Sequence, residues 1–433
     1  MIVGDGGLLL VMETAAVQRR TLRLLFLTQI ISGIGVAVGA SVGALLAADL
    51  AGVGMSGLAQ SAAVIGTALF AVPATAIVNH RGRRPSLALL YLIAAAGAII
   101  VLIAATRGSI SLLFPGFFLF GAATAANFQA RYAAVDLAPA ALRGRHLSLI
   151  VWATTLGAVL GPSLAPVAGT SVARFGIPTL AGPYFFSAVL FTLAIVLLLV
   201  FLRPDPAVVA RETIRSSSSP RSDAPRAGMR AALRFVLSHA SARLGVSAMA
   251  IGNVVMIGVM AMTPVHIRGA GHDAPHTLRI VGLVLSFHIA GMYAFSPVFG
   301  WLTDRVGRRP VIFSGIALLL AACALSGTAG HDTARLAAGL MVLGLGWSAT
   351  MVSGSTLLSE SIPVEMRASA QGLSDLVMGL AGASAGAISG VIVDAWGYPV
   401  LALLAALATA PLIVLVSLPT TRIEDLAGPG QAA

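Results

Sequence analysis

Apolar positions along this chain come in long unbroken runs, not in the alternation of a half-buried strand or the one-sided stripe of a soluble helix. Twelve such runs are read at approximately 22–46, 55–78, 86–106, 111–137, 147–170, 183–202, 244–266, 279–301, 311–329, 335–358, 369–393 and 398–418. A helix crosses the roughly 30 Å hydrocarbon layer with about 20 apolar residues, so each run is long enough to span. The Gly and Ala within them fit close helix packing in lipid. One polar interruption stands out. "RPDPAVVARETIRSSSSPRSDAPRAGMR" is rich in Pro, Ser and Arg and reads as a linker between six runs and six. The pattern predicts an all-α integral membrane protein of two six-helix bundles. Its parts are a tail at 1–20, a bundle at 21–203, a linker at 204–243, a second bundle at 244–419 and a tail at 420–433.

Composition agrees. Of 433 residues, 58% are hydrophobic and 10% charged, with a mean hydropathy of +0.94. A single soluble core does not use that much apolar surface. The net charge of +11 is carried by arginine alone among the basic residues. Twenty-one of the 27 lie in the N-terminal tail and the start of the first run, the even-numbered loops, the linker or the C-terminal tail. That asymmetry sets topology: a multi-pass protein of the inner (plasma) membrane with both termini cytoplasmic. It argues against nucleic acid as a partner. The opening stretch has no basic region before its short apolar run, so a cleavable leader is not expected. Cys323 is the only cysteine, which excludes an intrachain disulfide.

The two halves repeat. "TAIVNHRGRRP" (Thr75–Pro85) precedes "GWLTDRVGRRP" (Gly300–Pro310) by 225 residues. Pro139 and Arg143 precede Pro363 and Arg367 by 224, and Gly157 and Gly161 precede Gly382 and Gly386 by 225. A parallel six-plus-six duplication follows. "GWLTDRVGRRP" resembles the G-x-x-x-D-R-x-G-R-R loop of the major facilitator superfamily, and the resemblance extends over essentially the whole chain. It implies the major facilitator fold and a conformational latch at Asp304, Arg305, Gly307, Arg308 and Arg309, matched in the first half by Asn79, Arg83 and Arg84. Asp304 would offer charge to a facing helix N-terminus. The first copy carries Thr75, Asn79 and His80 in place of Gly, Asp and Arg, so a weaker latch is expected there.

Fold alone does not give a substrate; intramembrane polar groups must. "VVMIGVMAMTPVH" carries Met256 and Met260 one helical turn apart, and "LSFHIAGMY" carries His288 and Met292 at the same spacing. Residues at i and i+4 share a face. At about 1.5 Å per residue, the four donors interleave near mid-membrane on helices 7 and 8, where transporter sites lie. Three thioethers and an imidazole form a soft, uncharged set that selects Cu(I) over harder ions. Methionine also fills apolar helices, and a single Met pair reads most simply as packing. His288 weighs against that, because an ionisable residue at this depth is costly. Met262, His266, His272 and His276 continue outward as candidate metal entry. The Met-x-x-x-Met and His-x-x-x-Met pair resembles that of the CcoA-like copper importers. This resemblance implies that Met256, Met260, His288 and Met292 carry copper inward.

Other intramembrane groups remain. Arg131 would snorkel or pair with an acid such as Asp136, and Asp375 is the deepest acid and a proton-carrier candidate. Gly157, Gly161 and Pro162 resemble the G-x-x-x-G-P of drug–proton antiporters, which supports the alternative of proton-coupled efflux of drugs or other small molecules. Their plain reading is close helix packing. No nucleotide-binding loop or hydrolytic site is evident, so the chain is expected to transport and not to catalyse. It is expected to act as a monomer without a cofactor, copper being cargo. The expected partners are the bilayer, a copper ion or small solute, and copper chaperones.

Overall fold

A computed structural model describes residues 5–134, 136–139, 143–216, 229–363 and 366–418. Among these, twelve helices are long and apolar enough to cross a membrane. They are α1 (Thr14–Ala51), α2 (Val53–Val78), α3 (Arg83–Arg107), α4 (Ile110–Ala133), α5 (Trp152–Ala173) and α6 (Thr179–Phe201) in the first half. The second half holds α7 (Ala240–Arg268), α8 (Ala274–Val306), α9 (Arg308–Gly327), α10 (Thr333–Ser361), α11 (Ser369–Trp396) and α12 (Tyr398–Ser417). No strand occurs among the described residues. The predicted class holds: an all-α membrane protein of two six-helix halves.

Two expectations about boundaries change. The first helix runs unbroken from Asp5 to Ala51, through most of the expected N-terminal tail. No Pro interrupts that stretch, and its Glu, Ala, Gln, Arg and Leu residues are good helix formers. The linker is also partly helical, at Pro206–Ser216 and Met229–Ser238. The second of these buries Ala232 and Val236 in a cluster with Val246, Met249, Leu358 and Leu373. The expected C-terminal tail lies outside the described residues.

Three spans are discontinuous. α8 breaks at Ala294–Phe295, just before Ser296-Pro297, and α12 breaks at Ala408–Thr409, just before Ala410-Pro411. Proline lacks an N–H and crowds the preceding turn, so helices end ahead of it. α4 breaks at Gly121, where Cβ-free backbone lies against Ala63 and Thr67 of α2.

The halves meet along two seams, α2 with α11 and α5 with α8. Small residues make both close. Gly57 lies against the Gly386 carbonyl, Gly390 against Gly54, and Gly282 against the Pro162 carbonyl. Hydroxyls finish the seams. Ser61 donates to the Ala383 carbonyl at 2.6 Å, Ser163 and Ser286 meet at 2.9 Å, and Ser286 donates to the Val159 carbonyl at 2.8 Å. Asp49 of α1 pairs with Arg268 of α7 at the same end. All these contacts lie on the side where α1 ends and α2 begins, away from the chain termini. The two halves are therefore drawn together on that side.

Candidate functional site

The two loops with the repeated motif share their backbone geometry. Gly82 and Gly307, equivalent by the internal repeat, both adopt positive φ (98° and 106°) that a side chain would strain. Next to each, an arginine closes on an acid of its own half. Arg83 holds Asp136 through two bonds of 2.8 and 3.0 Å and gives a third to the Gln129 amide oxygen at 2.9 Å. Arg308 holds Glu360 through bonds of 2.8 and 2.5 Å. Asp136 and Glu360 are themselves repeat-equivalents, so one device appears twice.

This corrects two expectations. Asp136 pairs with Arg83 and not with Arg131. Asp304 does not cap a facing helix: its carboxylate is 78% exposed and stands 3.7 Å from Arg308. Arg305 stacks over Trp301 at 5.2 Å, and Arg309 bonds the Leu418 carbonyl. The Asn79 side chain lies outside the described residues. In its place an acid arrives from the linker: Asp205 accepts the backbone N–H groups of Arg83 (3.1 Å) and Arg84 (2.7 Å).

At mid-membrane, α7 and α8 share only a short contact, whereas α10 runs along both. The expected direct face-to-face arrangement of helices 7 and 8 is thus replaced by a shared neighbour. Gly344 of α10 lies against the backbone of His288 and Met292, and Gly291 of α8 against the Met341 carbonyl. This close approach brings His288, fully buried, to the Leu340 carbonyl, 2.8 Å from Nδ1. A carbonyl only accepts, so Nδ1–H donates and the neutral ring keeps its lone pair on Nε2. Nε2 is buried without a hydrogen-bond partner. Met256 and Met292 are buried, and Met260 is half-buried. Met262 departs from its assignment to an entry route: it is fully buried and accepts a bond from Ser56 Oγ of α2 at 3.2 Å.

The first half contains a buried polar network centred on Asn127. Asn127 Oδ1 accepts from Ser32 Oγ (2.9 Å) and from the Tyr91 hydroxyl (2.8 Å), while Gln29 donates to the Asn127 carbonyl at 3.0 Å. All four residues are buried. The missed signal was the polar Gln29 and Ser32 one turn apart in an apolar helix. Arg131, in the central space, stacks over Phe128 at 4.4 Å and lies within electrostatic reach of Asp375 and Tyr293 in the other half. Tyr293 packs edge-on to Trp347, whose Nε1 donates to Asn253 at 3.2 Å. Gly157 and Gly161 lie against the backbone of Ile30, Gly33 and Ile34 of α1, so the antiporter-like stretch packs helices here.

Twelve spans, a duplicated arginine clamp and a central space between two halves are the features of one transporter architecture. The family model of the Major Facilitator Superfamily matches residues 25–278 and 271–432. The chain belongs to the major facilitator superfamily. Among superfamily members, it is 40% identical to the uncharacterized MFS-type transporter YdeG of Bacillus subtilis, over 92% of this chain and 91% of that one. It is 28% identical to the riboflavin transporter RfnT of Brucella anthropi, over 85% and 87% of the two chains. The crystal structure of the nucleoside transporter NupG superposes with a TM-score of 0.72 at 15% identity, covering 93% of this chain and all of that one. The last likeness concerns the fold alone.

Proposed function

We propose that this superfamily transporter carries Cu(I) inward by alternating access, with Met256, Met260, His288 and Met292 as its donors. The observation that carries the reading is His288. Its ring is oriented by the Leu340 carbonyl, and its Nε2 lone pair is buried with no partner. Leaving such a group unsatisfied costs about 1–3 kcal/mol, a cost that a bound ion would remove. Anchoring one ring nitrogen on a carbonyl is also how metal-ligating histidines are commonly oriented. Thioethers and a neutral imidazole suit Cu(I) and give harder divalent ions little. With the arginine-rich face inside, the closed seams lie on the outer side. A monovalent cation entering gains about 2.3 kcal/mol per 100 mV of interior-negative potential.

A second reading, transport of a small organic solute, is favoured by the riboflavin transporter among the relatives and by Arg131, Asp375, Tyr293 and Trp347 around the central space. Radioactive copper uptake separates the two in cells lacking their own importer, at equal surface expression. Saturable uptake by the intact chain is expected to fall at least about tenfold in His288→Ala and in Met256→Ala/Met260→Ala, a loss of at least about 1.4 kcal/mol in transition-state terms. Uptake no greater than in empty cells would exclude copper as cargo and leave the organic solute, and saturable uptake that the variants retain would exclude these donors as its site.

A further inference from the structure

Two loops on the side away from the termini repeat the tripeptide Gly-His-Asp: Gly271-His272-Asp273 before α8 and Gly330-His331-Asp332 before α10. Their local structures match. Gly271 and Gly330 both take positive φ, 81° and 56°. Each aspartate then caps its helix: Asp273 accepts the His276 N–H at 3.0 Å, and Asp332 accepts the N–H groups of Ala334 (2.9 Å) and Arg335 (3.2 Å). The same turn therefore sets a histidine just ahead of each helix. The two histidines line one shallow cavity together with His266, from the last turn of α7.

His266 is held on three sides. Nε2 donates to the Gly330 carbonyl at 2.7 Å, which leaves the lone pair on Nδ1. Its ring stacks on Tyr398 at 4.3 Å and on His331 at 5.8 Å. His276 stands 4.6 Å from His272. Two imidazoles on one ion, with metal–nitrogen bonds near 2.0–2.1 Å, place their ring centres roughly 5–6 Å apart, the range of the His266–His331 separation. The two capping aspartates offset the positive ends of α8 and α10, which otherwise disfavour a cation.

We infer that His266, His272 and His331 form an outer site for a transition-metal ion that favours imidazole, zinc and copper being the class. Among the described residues no three histidine, cysteine or acidic side chains already converge on one point. His272 and His331 are exposed on their turns and reach the ion by side-chain rotation. The site adjoins the outer seam, because Arg268, two residues beyond His266, pairs with Asp49 of the other half. An ion held there sits beside the contact that must open to admit cargo. The site stands apart from Met256, Met260, His288 and Met292 and does not depend on copper being transported.

Zinc is the chosen probe, since the mid-membrane thioethers offer it little. Zinc is titrated into the purified full-length chain in detergent, and affinity and the zinc-induced rise in melting temperature are measured. The intact chain is expected to bind zinc and to be stabilised. His266→Gln, His272→Gln and His331→Gln should each weaken binding at least about tenfold. Zinc-free melting should be unchanged in His272→Gln and His331→Gln and lower in His266→Gln, which gives up the Gly330 bond and the Tyr398 stacking. Met256→Ala/Met260→Ala and His239→Gln should bind as the intact chain does. No zinc binding by the intact chain, binding that survives all three substitutions together, or binding lost in His239→Gln would overturn the site. Zinc binding that persists while copper uptake fails would retire the cargo reading and leave this one standing.

Discussion

A buried side chain in a membrane protein must find its partners within the fold, and the residues singled out above divide by whether they do. Asn127 does. Its side-chain oxygen receives both Ser32 and Tyr91, so its loss leaves Tyr91 to donate to Ser32 Oγ at 3.0 Å and Ser32 to the longer 3.3 Å bond with Gln29 Oε1. Asn127→Ala removes the acceptor that both hydroxyls share and should lower stability by about 1–3 kcal/mol. Tyr91→Phe removes one donor and leaves Asn127 bonded to Ser32, so its cost should stay near about 0.5–1.5 kcal/mol. Melting curves in detergent rank the two; a Tyr91→Phe that costs more than Asn127→Ala would contradict the network. His288 is the other kind, half satisfied by Leu340 and otherwise waiting. The chemical types at 256, 260, 288 and 292 were legible from spacing alone. The Leu340 bond was not, because a backbone acceptor on another helix leaves no mark in side-chain sequence.

At the scale of elements, the repeat-related loops carry one clamp built twice, in different surroundings. The Arg83 and Asp136 side chains are 12% and 16% exposed, those of Arg308 and Glu360 29% and 48%. Exposed pairs gain little over water, about 0.2–1 kcal/mol, whereas hydrogen bonds to charged groups in more sheltered sites contribute about 1.5–3 kcal/mol. Double-mutant cycles on the two pairs should therefore return a larger coupling for Arg83–Asp136, measured by thermal or denaturant unfolding. Equal couplings would mean that burial does not set the strength of the clamp. The sequence suggested the opposite ranking, since the first copy lacks the motif's acid. Asp205 from the linker and Gln129 from α4 supply acceptors to the first copy. Both lie far along the chain from the motif, so no local reading reaches them.

For the whole molecule, the decisive feature is which side is shut. The α2–α11 and α5–α8 seams close through glycines and serines on the side away from the termini. Alternating access requires these seams to part. Ser163 and Ser286 have their hydroxyls 2.9 Å apart, close enough for a cysteine pair to reach the separation a disulfide needs, with Cβ atoms about 3.5–4.5 Å apart. Ser163→Cys/Ser286→Cys should lose at least about tenfold of its transport on oxidation and recover it on reduction. Either single variant should be indifferent to both treatments. The one native cysteine, Cys323, is buried in α9 and leaves the readout clean. Transport that continues in the fully crosslinked protein would show that this seam need not open.

The sequence by itself determined the solvent, the number of spans, the division into halves, the repeat and the superfamily. The first three follow from local physics, since hydrocarbon accepts only long apolar helices and arginine is retained on one face; the repeat is read from its fixed offset, and the superfamily from the resemblance of its loop motif. It also placed soft donors at matching depths on helices 7 and 8. Only the tertiary structure decided that α10 is their common neighbour, that His288 is oriented from Leu340, and that Asp136 belongs to Arg83 and not to Arg131. It alone brought His331 to His266, and it alone set the seams shut on one side. Those facts depend on which helix lies beside which. Glycine contacts and hydroxyl bonds between distant segments select that arrangement, and hydrophobic pattern, uniform around a membrane helix, does not encode it.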